Sequence, residues 1–310
     1  RDVLGSRGLG DVYKRQGIYM SYTIITDSCA DLNQNMVDEL NIDVIPMSFE
    51  LNGIQYKDYP DQHEMNIKDF YKAMRDKQVS KTAQVTIEEY LEHFKTAYQK
   101  TKDILVIVFS SALSGTYNSS LVARNIFLED HSDANINILD SKCACGGQGL
   151  LVYLMAKNRN EKNMTIEENI KWFNDNYLHV CHHFTVEDLG ALKRGGRLSA
   201  TSAFLGTLVG IKPVLHVDNE GRLVPTDKVR GRKAALNKIA EYVHNKIIKP
   251  EENIIFINDG DDHSASSYIE NKIRELVPSI KEIRHFDVGP VIGGHTGAGI
   301  IAVFFMGTER

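Results

Sequence analysis

A hydroxyl-rich stretch at residues 110–117 (SSALSGTY) directly follows a continuous apolar run at residues 104–109. Such a run predicts a central parallel strand that is covered on both faces. Ligands of parallel sheets bind beyond the carboxyl ends of the strands, where free N–H groups at the start of a helix favour an anion. We therefore predict an anion site at Ser114 and Gly115, with the Ser114 hydroxyl as an additional donor. The alternative is that these serines only cap the helix.

Two further stretches of small polar residues could reach the same sheet edge, and a third stretch is a separate candidate for contact with a ligand. Residues 26–28 (TDS) follow the first predicted strand, and residues 81–84 (KTAQ), with Thr82, precede a strongly predicted helix. Each is also typical of an ordinary turn or cap. The third, residues 293–299 (GGHTGAG), is dense in glycine, which lets backbone approach a ligand closely. Its His295 could donate a hydrogen bond to a carboxylate, act as an acid or base, or serve as a structural donor.

Several classes of function are disfavoured by what the sequence lacks. No Gly-Lys-Ser/Thr ending follows a strand, and the glycines of residues 293–299 are not spaced as a dinucleotide fingerprint. The four cysteines include one C-x-C but no second pair at zinc-ligand spacing, so we expect no metal, no cofactor and reduced thiols in a cytoplasmic protein. The net charge of −5 disfavours nucleic-acid binding, and the apolar runs are too short for a membrane span.

Basic residues are concentrated in two places in this acidic chain. Residues 193–197 contain Arg194 and Arg197, and residues 228–233 contain Arg230. We interpret these clusters either as a docking surface for an acidic partner or a phosphate, or as ordinary solvated surface. The apolar segment between them, residues 200–211, could line an acyl tunnel or belong to the core.

The pattern of elements predicts an α/β protein with two domains. Residues 20–178 alternate β-rich and helical runs, which indicates a parallel sheet, and residues 44–50 are predicted to form one of its strands. A capping box of Thr86 and Glu89 opens the clearest helix. Residues 179–310 contain a predicted hairpin around residues 218–221, which favours an α+β domain with a mixed or antiparallel sheet. Residues 1–19 carry no apolar period and are expected to be a non-native extension.

Taken in order along the chain, five motifs resemble those of the DegV family of bacterial fatty-acid-binding proteins. Any one of them is weak evidence, but together they span the chain from residue 20 to its end. The motifs are residues 26–32 (TDSCADL), 110–117 (SSALSGTY), 192–199 (LKRGGRLS), 212–215 (KPVL), and 289–290 (GP) followed by 295–297 (HTG).

The resemblance implies a long-chain fatty acid enclosed in the protein, with its carboxylate at the domain junction near Thr82, Ser114 and His295. It further implies a non-catalytic carrier that presents the acid to a separate ATP-dependent fatty acid kinase subunit, which forms an acyl phosphate for phospholipid synthesis. Arg197 and Arg230 fall in segments similar to the kinase-facing surface. The chain departs from the family at Ala83, where a serine is frequent, and at Ala298, where proline is common.

Two other classes of function remain open from the residues alone. A serine hydrolase or acyltransferase would use Ser114 as nucleophile, His295 as base and Asp27 as the orienting carboxylate, although the G-x-S-x-G elbow is missing. A sensor of a sugar phosphate or nucleotide phosphate would use the same anion site. It would leave the tunnel without a role.

Overall fold

The computed structural model describes residues 22–187, 189–199 and 209–310. The predicted extension (residues 1–19) and most of the predicted tunnel segment (residues 200–211) lie outside these ranges. In chain order the strands are β1 Thr23–Asp27, β2 Asp43–Ile45, β3 Ser48–Leu51, β4 Ile54–Lys57, β5 Ser80–Ala83, β6 Asp103–Val108, β7 Asn135–Asp140, β8 Val180–Thr185, β9 Ile211–Val217, β10 Leu223–Arg230, β11 Ile254–Asp259, β12 Glu282–Asp287 and β13 Ile301–Met306. The α-helices are α1 Gln34–Leu40, α2 Ile67–Arg75, α3 Ile87–Tyr98, α4 Thr116–Asp130, α5 Cys145–Lys162, α6 Ile166–Asn176, α7 Gly190–Arg194, α8 Arg232–Lys246, α9 His263–Leu276 and α10 Pro290–Thr296.

The first sheet is parallel and has the strand order β2-β1-β6-β7. Its central strand β6 is apolar and buried over residues 104–108, as the continuous apolar run predicts. The loop after β6 leads into α4, so residues 110–115 lie at the carboxyl edge of the sheet. This is the edge at which parallel α/β sheets bind ligands.

The second sheet is mixed, with the order β10-β9-β8-β13-β11-β12, in which only β11 and β12 pair in parallel. Helices α8 and α9 cover one of its faces. Helix α5 contacts its other face at β8, β11 and β13, and it also contacts β6 of the first sheet. One helix therefore joins the two sheets into a continuous core. The predicted α/β class, with a parallel sheet first and a mixed sheet second, is confirmed; the boundary near residue 178 stays a prediction.

The prediction of a single strand at residues 44–50 was wrong. Pro46 has a fixed φ and lacks the backbone N–H that a ladder hydrogen bond requires, so it interrupts the strand. The chain instead leaves the parallel sheet after β2 and forms β3 in a separate antiparallel sheet of order β4-β3-β5. The turn at Asn52 and Gly53 has positive φ at both residues, as expected for a tight hairpin. Strand β5, which carries Thr82, belongs to this unpredicted sheet.

The glycine-rich segment at residues 293–299 is partly helical. Helix α10 has Pro290 in its first turn and ends at Thr296, and its C-cap residue Gly297 has a φ of +80°. Pro290 is pre-set for a first helical turn, and Gly297 accepts the positive φ that ends the helix. His295 therefore lies in the last turn of a short helix and not in a free loop. Among the described residues, no helix is both long enough and apolar enough to cross a bilayer.

Candidate functional site

A cavity of about 210 Å³ lies where the carboxyl edge of the first sheet meets the second sheet. Its wall is mostly apolar and is built from several elements of both halves. Aliphatic and aromatic side chains in this wall are Met47, Phe109, Leu113, Phe184, Leu192, Val217, Leu223, Val291, Ile292, Ile300 and Phe304. A mostly apolar space of this kind favours ligands with a large apolar part.

A second and wider cleft, of about 1300 Å³, adjoins the cavity. Four residues line both spaces, and all four are polar: Thr82, Arg197, His295 and Thr296. The apolar cavity thus ends in a polar boundary that separates it from the open cleft. A ligand with a long apolar part and one charged end would match this distribution of polarity.

Thr82 and His295 are in direct contact although 213 residues separate them in the chain. The Thr82 hydroxyl lies 2.7 Å from Nε2 of His295. Strand β5 and helix α10 pack together and bring these two side chains to the cavity. Both predicted residues therefore lie in one polar cluster at the boundary of the cavity.

Ser114 lines the same cavity from the loop that precedes α4. Its Oγ lies 2.9 Å from Oγ1 of Thr116 and accepts the Thr116 N–H at 3.2 Å. The serine thus caps the start of the helix and also faces the cavity, so the two interpretations of this stretch are compatible. Gly115 is the N-cap residue of α4 and has no side-chain capping bond of its own.

Two glycines permit close packing within the polar cluster. A Cβ on Gly115 would lie 2.0 Å from Oε1 of Gln84, and a Cβ on Gly195 would lie 2.4 Å from Nδ1 of His295. A side chain at either position would therefore require the Gln84 or His295 side chain to move. Gly115 therefore lets the chain after β5 approach the start of α4, and Gly195 lets the segment that carries Arg197 reach His295.

Arg197 brings a positive charge to this cluster. Its Nε donates to the carbonyl of Leu113 at 3.2 Å, which holds the guanidinium next to the Ser114 loop. Burial, and to a smaller extent the positive charge of Arg197, lower the pKa of His295 from 6.5 to about 4. At neutral pH the imidazole is uncharged and retains one N–H donor, while Arg197 supplies the charge that favours an anion.

This environment predicts how His295 titrates. In lipid-free protein, the His295 imidazole should titrate with a midpoint well below 6.5 by NMR, with the resonance assigned from His295→Asn. The unfolded chain takes up this proton below pH 6.5, whereas the folded chain does so only near pH 4. The contribution of His295 to stability is therefore present above pH 6.5 and is lost as the pH falls toward 4. Arg197→Ala should raise the midpoint slightly. A midpoint at or above 6.5 would contradict the buried position.

Not every predicted residue reaches this cluster. Arg194 is exposed and lines only the wide cleft. Arg230 is exposed at the end of β10 and lines neither space. The expectation that the hydroxyls of residues 26–28 converge on the same site was wrong, because these residues do not line the cavity. The Thr26 hydroxyl donates instead to the carbonyl of Ile107 at 2.7 Å.

The residues proposed for a hydrolase are not arranged as a catalytic triad. The carboxylate of Asp27 accepts the N–H groups of Cys29 and Phe109, at 3.1 and 3.0 Å, and burial raises its pKa to about 6. Ser114 contacts Thr116, and the Nε2 of His295 contacts Thr82. A serine nucleophile requires a base in hydrogen-bond contact and a carboxylate that orients this base. In this structure Asp27, Ser114 and His295 are hydrogen-bonded to other groups and not to one another.

Sequence reasoning missed His182 of the cavity wall and gave no role to Gln84, although Gln84 lies in the predicted stretch at residues 81–84. Gln84 lines the cavity and donates to Ser119 at 3.0 Å. His182 also lines it, and its Nε2 accepts the N–H of Ala144 at 3.2 Å while Nδ1 lies 3.1 Å from the carbonyl of Val180. Burial holds the pKa of His182 well below its usual value. Strand β8 has the sequence VCHHFT, and its two adjacent histidines in a buried strand were the signal of this position.

Metal ligation finds no support in the described part of the chain. Across residues 22–187, 189–199 and 209–310, no group of three or more His, Cys, Asp or Glu side chains is placed to hold a metal ion. All four cysteines are buried and free.

Comparison with solved structures yields close matches in fold. A DegV family protein from Thermus thermophilus, whose structure concerns fatty acid binding, superposes with a TM-score of 0.84 at 25% identity, over 92% of this chain and 99% of that one. DegV from Bacillus subtilis, a fatty acid binding protein, matches with a TM-score of 0.79 at 27% identity, over 93% and 100% of the two chains.

Comparison of sequences leads to the same family. A DegV domain-containing protein of Clostridium perfringens is 41% identical over 289 residues, which cover 93% of this chain and 98% of the relative. A DegV domain-containing protein of Streptococcus pyogenes is 36% identical over 93% of this chain and 99% of its own length. The profile described as "Uncharacterised protein, DegV family" matches residues 21–308. The chain therefore belongs to the DegV family.

Proposed function

We propose that this protein binds one long-chain fatty acid, with the acyl chain in the apolar cavity and the carboxylate at Thr82, Ser114, Gly115 and His295. The observation that carries the proposal is a mostly apolar cavity whose boundary with the wide cleft is formed by polar residues. Family members from Thermus thermophilus and Bacillus subtilis bind fatty acids, which supports the same ligand class here. The ligand is cargo, and the proposal requires no cofactor.

Burial of the acyl chain would supply most of the affinity. Each methylene removed from water contributes about 0.8 kcal/mol, so a fourteen-methylene chain could gain roughly 11 kcal/mol before ordering costs. A hydrogen bond to a charged carboxylate adds about 1.5–3 kcal/mol. The polar cluster would therefore fix the orientation of the ligand more than its total affinity.

A titration of the purified, delipidated protein tests this proposal. Palmitate should bind with one site per chain, as measured by calorimetry, while butyrate and inorganic phosphate should neither bind at comparable concentration nor displace palmitate. Butyrate has the same carboxylate but too few methylenes to fill the cavity. Displacement of the ligand by phosphate would instead favour a sugar-phosphate or nucleotide-phosphate sensor.

We further propose that the carrier is non-catalytic and cytoplasmic, and that it presents the acid to a separate ATP-dependent fatty acid kinase subunit. The acyl phosphate would then enter phospholipid synthesis. The wide cleft next to the polar boundary supports this proposal, because a partner that fills the cleft would lie beside the carboxylate. Arg194 and Arg197 line this cleft, and Arg230 would extend the docking surface.

The proposed boundary near residue 178 is consistent with the strands, since β1 to β7 end by residue 140 and β8 begins at residue 180.

Arg194→Ala tests the docking role separately from lipid binding. Because Arg194 lines the cleft but not the cavity, palmitate affinity should stay within about twofold of wild type. Phosphorylation of the bound acid by a fatty acid kinase subunit and ATP should fall at least about fivefold in kcat/KM, with a weaker salt dependence. Lys171→Ala, which removes an exposed cation from α6, is the matched control. Equal kinase rates for Arg194→Ala and Lys171→Ala would contradict the docking role.

A further inference from the structure

The side chain of Arg310 joins three segments that are far apart in the chain. Its Nη1 donates to the carbonyl of Lys142 at 2.6 Å and to that of Asp218 at 2.9 Å. Its Nη2 donates to the carbonyl of Tyr177 at 2.8 Å and to Sγ of Cys143 at 3.1 Å. Lys142 follows β7 of the first sheet, Tyr177 follows α6, and Asp218 opens the turn between β9 and β10 of the second sheet. One guanidinium therefore ties the two sheets together.

A buried hydroxyl makes a second connection between this turn and the first sheet. Oγ of Ser110, in the loop after β6, donates to the carbonyl of Gly221 at 2.8 Å. Gly221 has φ +81°, and a Cβ there would lie 2.1 Å from Oγ of Ser110. Glycine adopts this φ without strain, and any side chain here would force Ser110 to move. Ser110 and Arg310 thus hold the turn at two points, and we call these contacts the latch.

The turn at residues 218–222 is well bonded within itself. Oδ1 of Asp218 accepts the N–H groups of Glu220 and Arg222, at 3.1 and 2.8 Å. The carbonyl of Asp218 accepts the N–H of Gly221 at 3.0 Å, and the N–H of Asp218 donates to the carbonyl of Arg222 at 3.0 Å. Holding Asp218 and Gly221 therefore also fixes the adjoining ends of β9 and β10.

The latch lies directly beside the wall of the apolar cavity. Phe109 and Ala144 line the cavity from the edge of the first sheet, and they are the chain neighbours of residues 110 and 143. Val217 and Leu223 line it from the second sheet, and they flank the turn on either side. The latch residues themselves line neither the cavity nor the wide cleft. The latch thus joins two parts of the wall from outside.

We propose that Arg310 and Ser110 are positioning residues that hold this part of the cavity wall closed, and that opening of the latch sets the rate at which the acyl chain enters and leaves. Neither residue contacts the ligand, and both act through the wall residues beside them. Because the closed wall buries the acyl chain, the closed arrangement is the one that holds the ligand. The inference rests on the proposed function for its ligand, but the contacts of the latch belong to the lipid-free protein.

Variants of Arg310 test the latch by stopped-flow fluorescence. Arg310→Ala should speed both the uptake and the release of cis-parinaric acid, a fluorescent long-chain fatty acid, about tenfold, with excess palmitate as competitor for release. Because both rates rise together, Kd should stay within about threefold of wild type. Arg310→Lys keeps the charge but loses the fork of donors that reaches several carbonyls, so it should exchange nearly as fast as Arg310→Ala. Ser110→Ala removes one hydrogen bond and should speed exchange about threefold.

Two controls separate the latch from a general loss of stability. Arg274→Ala removes an exposed arginine of α9 that pairs with Glu270, and it should exchange ligand as the wild type does. Guanidinium chloride at millimolar concentration should slow exchange in Arg310→Ala by occupying the vacated position, and it should leave the wild type unchanged. Thermal unfolding should show each variant folded, and Ser110→Ala carries the same test if Arg310→Ala does not fold.

Hydrogen–deuterium exchange of the lipid-free protein tests the latch without a ligand. Arg310→Ala should expose the amides of residues 141–145 and 216–224, while those of α9 stay as protected as in the wild type. Wild-type exchange of fatty acid in a folded Arg310→Ala protein, or faster release with unchanged uptake, would overturn the proposal. Failure of the wild-type protein to bind any long-chain fatty acid would refute the proposed function instead, and the deuterium measurement would still decide whether the latch holds the two sheets together.

Discussion

Replacing Ala302 with phenylalanine should lower the affinity for palmitate at least about a hundredfold. Ala302 is buried on β13 and lines the cavity. A phenyl ring there would occupy space that the acyl chain needs. Displacing even four methylenes would cost about 3 kcal/mol at about 0.8 kcal/mol each, which is already more than a hundredfold in Kd. Calorimetric titration with palmitate measures the effect.

Graded variants distinguish a blocked cavity from a damaged fold. Ala302→Val should weaken binding less than Ala302→Phe, and both should lose less affinity for shorter acids. Val303→Leu adds bulk at the next residue, which packs in the other core with α8 and α9, and should leave palmitate binding unchanged. Thermal unfolding should show all three variants folded. Wild-type affinity in a folded Ala302→Phe protein would mean that the acyl chain lies elsewhere.

Ser114→Ala is the second substitution with a large expected effect, a ten- to hundredfold loss of palmitate affinity without unfolding. A hydrogen bond to a charged group contributes about 1.5–3 kcal/mol, which corresponds to this range. The loss should be specific to the carboxylate. Hexadecanol, which has the same chain but no charge, should bind Ser114→Ala about as well as it binds the wild type.

Ser111→Ala is the matched control for this substitution. Ser111 belongs to the same loop, is exposed and contacts Lys142, but it does not line the cavity. It should bind palmitate as the wild type does. If Ser114→Ala weakened the acid and the alcohol equally, the serine would have a structural role and not a part in carboxylate recognition.

The local part of the site could be predicted from the sequence. Residues 104–109 have the apolar composition of a central strand, and the hydroxyl-rich stretch after them lies at the sheet edge where the cavity forms. The capping box at Thr86 and Glu89 is present, with both hydrogen bonds. These features depend on residues that are neighbours in the chain, so spacing alone reveals them.

The contacts of the site that join residues far apart in the chain could not be derived from spacing. Thr82 and His295 meet across 213 residues, and only the family resemblance linked them to one carboxylate. Pro46 interrupts the strand that was predicted at residues 44–50 and directs the chain into a third sheet. The contact of Gln84 with Gly115 depends on side-chain packing between two loops. Such contacts follow from the assembled fold and leave no periodic pattern in the sequence.

Native mass spectrometry of the purified protein, followed by denaturing extraction and lipid analysis, tests the central claim most directly. The account predicts one long-chain fatty acid per chain, released on denaturation and replaced when palmitate is added to delipidated protein. Ala302→Phe, purified in the same way, should carry none. A wild-type protein that carries no lipid and takes up no added fatty acid would contradict the assignment of the cavity as an acyl-binding site.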